Sequence, residues 1–173
     1  MPTDTVYGLV CRADDRSAVE RLYALKKRKS KPGTVVASSI DQLVRLGIKK
    51  RYLTVVERYW PGAVSVIVPS EPSLKYLDDG KKTLAVRVTD DKMFAAFIEQ
   101  NGPLLTSSAN QPAKKPADSI DQAKKYFTNE VDHYIDGGYL NGRKPSTLIR
   151  IVDDVVEVLR QGTVKINEKG EII

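Results

Sequence analysis

The sequence predicts an α/β or α+β fold in which helices pack on a mixed, twisted β-sheet. Helical and strand-like segments alternate along the 173 residues, and the connections between them are short and rich in turn residues. No repeat or change of composition divides the chain, so we expect a single domain over 1–173. Hydrophobic residues make up 41% of the chain, yet no apolar run approaches the roughly 18 residues that span a bilayer.

The first predicted elements are a helix, a strand and two further helices. Ser17 has capping-box spacing to the glutamate three residues later, and the apolar periodicity that follows predicts a helix ending before Pro32. Residues 34–37 predict a short strand. Ser39 begins a second capping box and therefore a second helix, and residues 52–60 predict a third.

The second half of the chain predicts most of the sheet. After a Trp-Pro-Gly turn, residues 63–68 and 84–88 are apolar enough for buried strands. Thr89 is the expected cap of a helix that stops at Gly102, and residues 104–105 begin a strand that runs into the polar turn 106–110. The remaining predicted elements are a loop at 114–118, a helix at 119–127, and hairpin strands at 147–152 and 155–159.

Charge and cysteine content narrow the classes of function. The formal net charge is +6 and the pI is near 9.3, which favours anionic partners such as nucleotides or RNA. The single cysteine, Cys11, excludes an intramolecular disulfide and a multi-cysteine metal site, and the single His133 adds no partner for a zinc cluster. No basic-then-apolar leader pattern is present, so we expect a cytoplasmic location without membrane contact.

A basic run, Lys-Lys-Arg-Lys-Ser-Lys at 26–31, follows the first predicted helix. Such a run is usually a solvated face, and cations suit a helix C-terminus. Five bases in six positions nevertheless repel one another, and a bound polyanion would offset that repulsion. The chain contains neither a G-x-x-x-x-G-K-[ST] nor a G-x-G-x-x-G motif, so phosphates would be held by side chains and other loops.

Other segments are more polar than a scaffold needs. They lie at 1–8, at 106–110, and at 145–147 with 160–162. Small hydroxyls and an amide at the carboxyl end of a strand can bind a ligand without filling its space. Each segment is also compatible with a turn or strand end stabilised by its own side chains, which the residues at 106–110 alone slightly favour, so both interpretations stay open.

Taken in order, these segments form a set of motifs that covers nearly the whole chain. The motifs are PTDTVYGL (2–9), LKKR followed by KP (25–32), WPGAVSVIV (60–68), AVRV (85–88), LLTSSAN (104–110), STLIRI (146–151) and LRQGTV (159–164). The set resembles the YrdC-like threonylcarbamoyl-AMP synthases of the short, single-domain type. The resemblance implies an open, twisted, mixed sheet with flanking helices around a basic cavity.

The resemblance also implies an activity and its partners. The expected enzyme is a nucleotidyltransferase that condenses ATP, L-threonine and bicarbonate to threonylcarbamoyl-AMP and pyrophosphate, with Mg²⁺ accompanying ATP. Its product would serve tRNA threonylcarbamoyladenosine modification through a downstream threonylcarbamoyl-transferase complex. Contact with tRNA or double-stranded RNA is a further expectation.

Matching motif to motif assigns expected roles to individual residues. The catalytic pair is Lys26 and Arg28. The ATP-binding residues are Arg28, Lys31, Thr83, Asn110 and Arg160. The threonine-binding residues are Thr5, Arg87, Ser108 and Ser146, with Thr3, Tyr7 and Ser107 in support. No protein ligand to a metal is expected.

Several positions depart from the family pattern. The helix and strand that precede PTDTVYGL in relatives have no counterpart here, so we expect a weakened fold or an exposed sheet edge. Lys29, Val36, Pro112-Ala113 and Asp118 replace residues that relatives carry near the substrates, and we expect them to lower activity. Two alternatives remain open, a non-catalytic RNA-binding protein of the same fold and a related carbamoyl-adenylate enzyme.

Overall fold

Seven strands form one open, mixed sheet in the computed structural model, which describes residues 1–27 and 32–173. Their order across the sheet is β1-β5-β2-β4-β3-β6-β7. The β2–β4 and β3–β6 pairs are parallel and the other pairs are antiparallel. The strands are β1 (Gly8–Arg12), β2 (Thr34–Ala37), β3 (Val64–Pro69), β4 (Thr83–Val88), β5 (Leu104–Ser108), β6 (Thr147–Val152) and β7 (Val155–Arg160). The predicted fold class is confirmed.

Six α-helices flank this sheet within the described part of the chain. They are α1 (Arg16–Lys26), α2 (Ile40–Leu46), α3 (Lys50–Thr54), α4 (Lys75–Asp78), α5 (Lys92–Asn101) and α6 (Ile120–Phe127). The side chain of Ser39 caps α2 as the sequence predicts, and that of Ser119 caps α6 at the start of the helix predicted for 119–127. No helix in residues 1–27 or 32–173 combines the length and apolar character needed to cross a bilayer.

Two other predicted N-caps are wrong. Asp15, not Ser17, caps α1 by accepting a hydrogen bond from the backbone N–H three residues on, at 3.0 Å. Asp91, not Thr89, caps α5 in the same way at 2.9 Å. A carboxylate accepts this bond and also interacts favourably with the helix dipole, which a hydroxyl does not. The Thr89 hydroxyl is used elsewhere, since it donates to the carboxylate of Asp4.

Some element boundaries also differ from the sequence prediction. The predicted helix at 52–60 is divided into α3 and a 3-10 turn at Glu57–Tyr59. The β5 strand continues to Ser108, where a polar turn from 106 was predicted. Two elements, β1 and α4, were not predicted at all. Each is five residues or shorter, which leaves little periodicity for a sequence pattern to show.

Strand alternation gives the sheet two chemically different faces. Cross-strand partners and residues two apart share a face, so the register assigns each side chain to one side. One face carries the main apolar core, which α1 to α4 cover and which includes Val35, Val66, Val86, Leu105 and Ile149. The opposite face carries more polar side chains, among them Thr34, Ser65, Arg87, Thr106 and Ser108. Part of that face is covered by α5, where Val36 and Leu104 pack against Phe94 and Ile98.

Candidate functional site

A polar cavity of about 270 Å³ lies over the uncovered part of the second face. Its described lining includes seven residues that the sequence motifs assign to a substrate site. These are Thr3, Thr5, Arg87, Ser107, Ser108, Ser146 and Arg160. The cavity therefore brings together segments that are up to 157 positions apart, from Thr3 to Arg160.

Sheet topology explains why these segments meet. The end of β5 lies beside the start of β1, because Ser108 pairs with Gly8 in antiparallel register. The loop that carries Thr3 and Thr5 comes directly before β1 and so reaches the same place. Ser146 precedes β6, which runs parallel to β3 and starts level with Val64.

Arg87 forms a buried ion pair with Asp4. The Nη1 atom of Arg87 lies 2.6 Å from Oδ2 of Asp4, and the two side chains are 3% and 2% exposed. The same oxygen accepts a hydrogen bond of 3.0 Å from the Thr89 hydroxyl. Burial lowers the pKa of the Arg87 guanidinium, and the negative charge of Asp4 opposes that effect.

The ion pair leaves two of its own polar atoms without hydrogen bonds. Arg87 Nε and Asp4 Oδ1 are both buried and have no hydrogen-bond partner among residues 1–27 and 32–173. The sequence motifs gave no role to Asp4. The available signal was an acid between two threonines in a segment that also carried predicted ligand groups.

The loop before β1 presents two threonine hydroxyls to the cavity. Thr3 Oγ1 donates to the carbonyl of Val6 at 2.7 Å and lies 3.3 Å from Oγ1 of Thr5. The backbone N–H of Thr5 also donates to Thr3 Oγ1 at 3.3 Å. Thr3 thus holds the turn, and the Thr5 hydroxyl keeps capacity for a ligand.

Ser146 lies between a buried serine and an arginine. Its hydroxyl is 2.8 Å from that of Ser65, which is fully buried in β3. Arg160 Nη2 donates to the carbonyl of Ser146 at 2.9 Å and to its hydroxyl at 3.3 Å. Ser65 belongs to a motif quoted above but had no predicted role, because an apolar strand conceals which of its residues face a ligand.

Lys26 is buried at the end of α1 and contacts the end of β5. Its ammonium donates to the carbonyl oxygens of Ser108 and Asn110 at 2.5 and 2.6 Å and to Oδ1 of Asn110 at 2.9 Å. The Ser108 hydroxyl also donates to that Oδ1, at 2.6 Å. The structure therefore brings the Lys-x-Arg and Ser-x-Asn motifs together, although Lys26 and Asn110 do not line the cavity. Arg28, Lys29 and Lys31 lie outside the described residues.

Two other predicted residues lie away from the cavity lining. The Tyr7 hydroxyl donates to Asp136 at 3.2 Å and to the carbonyl of Gly138 at 2.8 Å, and it accepts from the N–H of Gly137 at 2.8 Å. Tyr7 therefore fixes the chain at 136–138. Thr83 begins β4 and is not among the described residues that line the cavity.

A second cavity, of about 260 Å³, has a mostly apolar lining. It lies between β1, α1 and α6 and includes Leu9, Leu22 and Phe127. This lining does not suit a triphosphate. Within residues 1–27 and 32–173, no three histidine, cysteine or acidic side chains lie close enough together to hold a metal ion.

Comparison with known proteins gives one family over most of the chain. The family model described as "Telomere recombination" (Sua5_yciO_yrdC) matches residues 1–162. A threonylcarbamoyl-AMP synthase of Marinobacter nauticus is 33% identical over 157 residues, which cover 87% of this chain and 83% of that protein.

Solved structures agree with this match. P. abyssi Sua5, in a crystal structure with L-threonine, superposes on 94% of this chain with a TM-score of 0.81 and 28% identity. E. coli YciO superposes on 97% of this chain with a TM-score of 0.80 and 25% identity. The chain spans 49% of the P. abyssi Sua5 chain and 84% of the E. coli YciO chain.

Proposed function

The chain belongs to the Sua5–YciO–YrdC family, and we propose on that premise that it is an L-threonylcarbamoyladenylate synthase. The proposed reaction converts ATP, L-threonine and bicarbonate to threonylcarbamoyl-AMP and pyrophosphate. One observation carries the proposal beyond family membership. Arg87, Thr5, Ser108 and Ser146, which come from four distant segments, line one small polar cavity.

The cavity chemistry suits an amino acid with a hydroxyl side chain. Arg87 offers a guanidinium to the carboxylate, and a guanidinium fork matches carboxylate geometry. Thr5 and Ser146 offer hydroxyls that can donate to or accept from the threonine hydroxyl and amine. A binder of RNA alone has no use for such a small, enclosed set of groups.

As a nucleotidyltransferase, the protein needs no nucleophilic side chain. The amine of L-threonine and bicarbonate form a carbamate with loss of water. A carbamate oxygen attacks the α-phosphorus of ATP, and the bond to the pyrophosphate oxygen breaks. The contribution of the protein is to position the reactants and to stabilise the charge that develops on the phosphates.

ATP would bind at the basic rim of the cavity. Arg160 lines the cavity there, and Arg28 and Lys31 belong to the basic run that follows α1. Asn110 is the expected nucleotide contact at the end of β5, with Thr83 at the start of β4. We assign two roles to Lys26. It positions Ser108 and Asn110 through hydrogen bonds, and it provides a positive potential beside the leaving pyrophosphate.

The proposed Mg²⁺ would be bound by ATP rather than by the protein. Asp4, the carboxylate that pairs with the cavity residue Arg87, is already bonded to Arg87 and Thr89. Magnesium commonly keeps several waters and binds substrate phosphates with few protein ligands. Its chemistry here would be neutralisation of the triphosphate.

The cellular setting is part of the same proposal. A short synthase would act in the cytoplasm and pass threonylcarbamoyl-AMP to a transferase complex that modifies tRNA. The net charge of +6 favours direct contact with tRNA as well.

Pyrophosphate release tests the proposed reaction. The purified chain is incubated with ATP, Mg²⁺, bicarbonate and L-threonine, and each substrate is omitted in turn. We expect release only when both L-threonine and bicarbonate are present, with threonylcarbamoyl-AMP identified by mass spectrometry. A preparation of Asn110→Ala purified in parallel measures contaminating activity.

The other outcomes point to the alternatives. Release that depends on carbamoyl phosphate instead of L-threonine and bicarbonate would identify a related carbamoyl-adenylate enzyme. No release from a folded protein, together with salt-sensitive binding of structured RNA, would favour the RNA-binding alternative. Either result would overturn the synthase proposal.

A further inference from the structure

The polar cavity must separate two anionic ligands if the proposed function is correct, and the following inference rests on that function. L-Threonine carries a carboxylate and ATP carries a triphosphate. Among the described residues that line the cavity, the charged side chains are Arg87 and Arg160. Both are guanidinium groups, and either would bind phosphate oxygens well.

The two arginines differ in their surroundings. Arg160 is exposed, and it donates hydrogen bonds to the carbonyl and the hydroxyl of Ser146. Arg87 is buried against the carboxylate of Asp4, and the charge of Asp90 also acts on it. A neutralised guanidinium attracts a polyanion weakly, because the long-range attraction is cancelled, but it keeps its hydrogen-bond donors.

The geometry of the ion pair is suited to binding a further group. A bidentate pair would use both carboxylate oxygens, whereas here Oδ2 takes both bonds, from Arg87 Nη1 and the Thr89 hydroxyl. Arg87 Nε is buried and makes no hydrogen bond to the part of the chain that the structure describes. A buried donor without a partner is rare in native proteins, and a ligand acceptor would satisfy it.

We propose that Asp4 is a specificity-determining residue that reserves Arg87 for the L-threonine carboxylate and keeps the ATP triphosphate away from it. The Asp4 carboxylate holds Nη1 of Arg87 in place, and its negative charge offsets the positive charge that would otherwise attract a polyanion. The triphosphate is thereby left to the exposed guanidinium of Arg160.

Asp4→Asn tests the proposal, because it removes the charge and preserves the shape. In the wild-type enzyme, the apparent KM for L-threonine is expected to be independent of ATP concentration. In Asp4→Asn, phosphates compete for the uncancelled Arg87. The apparent KM for L-threonine is then expected to rise about tenfold at millimolar ATP. Asp4→Glu, which restores the charge, is expected to recover most of the wild-type pattern.

A matched control uses the same substitution in an exposed ion pair. Asp14 pairs with Arg12 at 2.7 Å, with side chains 46% and 58% exposed. Asp14→Asn is expected to leave the ATP independence of the KM for L-threonine intact. If Asp4→Asn behaves like Asp14→Asn, or raises the KM values of both substrates equally, Asp4 is a structural residue and the proposal fails.

Inorganic tripolyphosphate provides a test that does not require a stable variant. It is expected to compete with ATP in the wild-type enzyme and not with L-threonine. Competition with L-threonine in the wild type would overturn the proposal. If the wild type releases no pyrophosphate, the proposed function has failed on its own. The role of Asp4 can then still be tested by calorimetry, which measures whether tripolyphosphate displaces bound L-threonine. We expect displacement from Asp4→Asn and none from the wild type.

Discussion

The Lys26 ammonium donates a hydrogen bond to the side-chain oxygen of Asn110 at 2.9 Å. Two further bonds from the same ammonium reach the carbonyl oxygens of Ser108 and Asn110. Lys26 is 1% exposed, so these bonds form in a medium where charge and hydrogen bonding are strong. The end of α1 and the end of β5 are therefore joined by one buried cation.

Lys26→Met is expected to lower both stability and activity. The substitution keeps most of the length of the side chain but removes three hydrogen bonds from a buried ammonium, at a cost of about 3 kcal/mol in the free energy of unfolding. We expect pyrophosphate release to fall at least 100-fold, because Ser108 and Asn110 lose their support. Urea denaturation and the pyrophosphate assay measure the two effects.

The exposed Lys75→Met serves as the control for Lys26→Met and is expected to change neither quantity. A double-mutant cycle with Asn110→Ala should show strong non-additivity, since the two side chains share a bond. Additive losses would contradict the joint role assigned to them.

The Asp4–Arg87 pair predicts an asymmetric stability cycle. Arg87→Met leaves a buried carboxylate without its counter-charge and is expected to cost about 3–5 kcal/mol in the free energy of unfolding. Adding Asp4→Asn removes that charge, so the double variant should be more stable than Arg87→Met alone. Denaturant titrations at pH 7 measure the cycle. A double variant less stable than Arg87→Met would show that the charge of Asp4 is not what destabilises the single variant.

Ser65 is expected to affect the binding of L-threonine through its contact with Ser146. Ser65→Ala removes the hydroxyl 2.8 Å from that of Ser146 and is expected to cost about 1 kcal/mol of stability. The KM for L-threonine should rise a few-fold while the KM for ATP stays constant. Exposed Ser73→Ala is the matched control. Equal effects of Ser65→Ala on both KM values would instead indicate a general disturbance of the sheet.

Cys11 is expected to be unreactive in the folded protein. Burial raises the pKa of its thiol from 9.0 to about 12, with a smaller contribution from the charge of Asp15. Only the thiolate reacts with disulfide reagents, and its fraction at pH 8 falls by about 1,000-fold for such a shift. Because the chain has one cysteine, Ellman's reagent measures it directly. We expect modification to be at least 100-fold slower in the folded state than in guanidinium.

The same shift of Cys11 predicts the sign of a pH effect on stability. A thiol whose pKa is raised on folding binds its proton more tightly in the folded state. It therefore stabilises the fold fully below pH 9, and this contribution is lost as the pH rises from 9 towards 12. Cys11→Ala should remove that part of the alkaline destabilisation. An unchanged alkaline limb in Cys11→Ala would contradict the assigned pKa.

Sequence patterns were most successful where one physical rule dominates. Strand β4 (Thr83–Val88) and helix α6 (Ile120–Phe127) follow from apolar patterning and from a serine cap. The errors arose where two rules compete. Asp15 and Ser17 can both cap a helix start, and in the structure Asp15 is the cap of α1. Strand β1 (Gly8–Arg12) is short and owes its conformation to pairing with β5 rather than to its own residues.

The candidate site shows the same division. Arg87, Ser108 and Asn110 could be selected from motifs, because local residue order carries them. The residues that contact them in the fold could not be selected in this way. Asp4 is 83 positions from Arg87 and Ser65 is 81 positions from Ser146, and nothing local to either residue indicates the contact.

The sequence by itself determined the alternation of helices and strands and the set of motifs that identifies the family. These depend on residue type and spacing, which are local properties. Only the tertiary structure decided that Arg87 is neutralised by Asp4 and that Lys26 supports Ser108 and Asn110. Those contacts arise when β1, β4 and β5 align in one sheet, and hydrogen bonds of about 3 Å depend on that alignment rather than on distance along the chain.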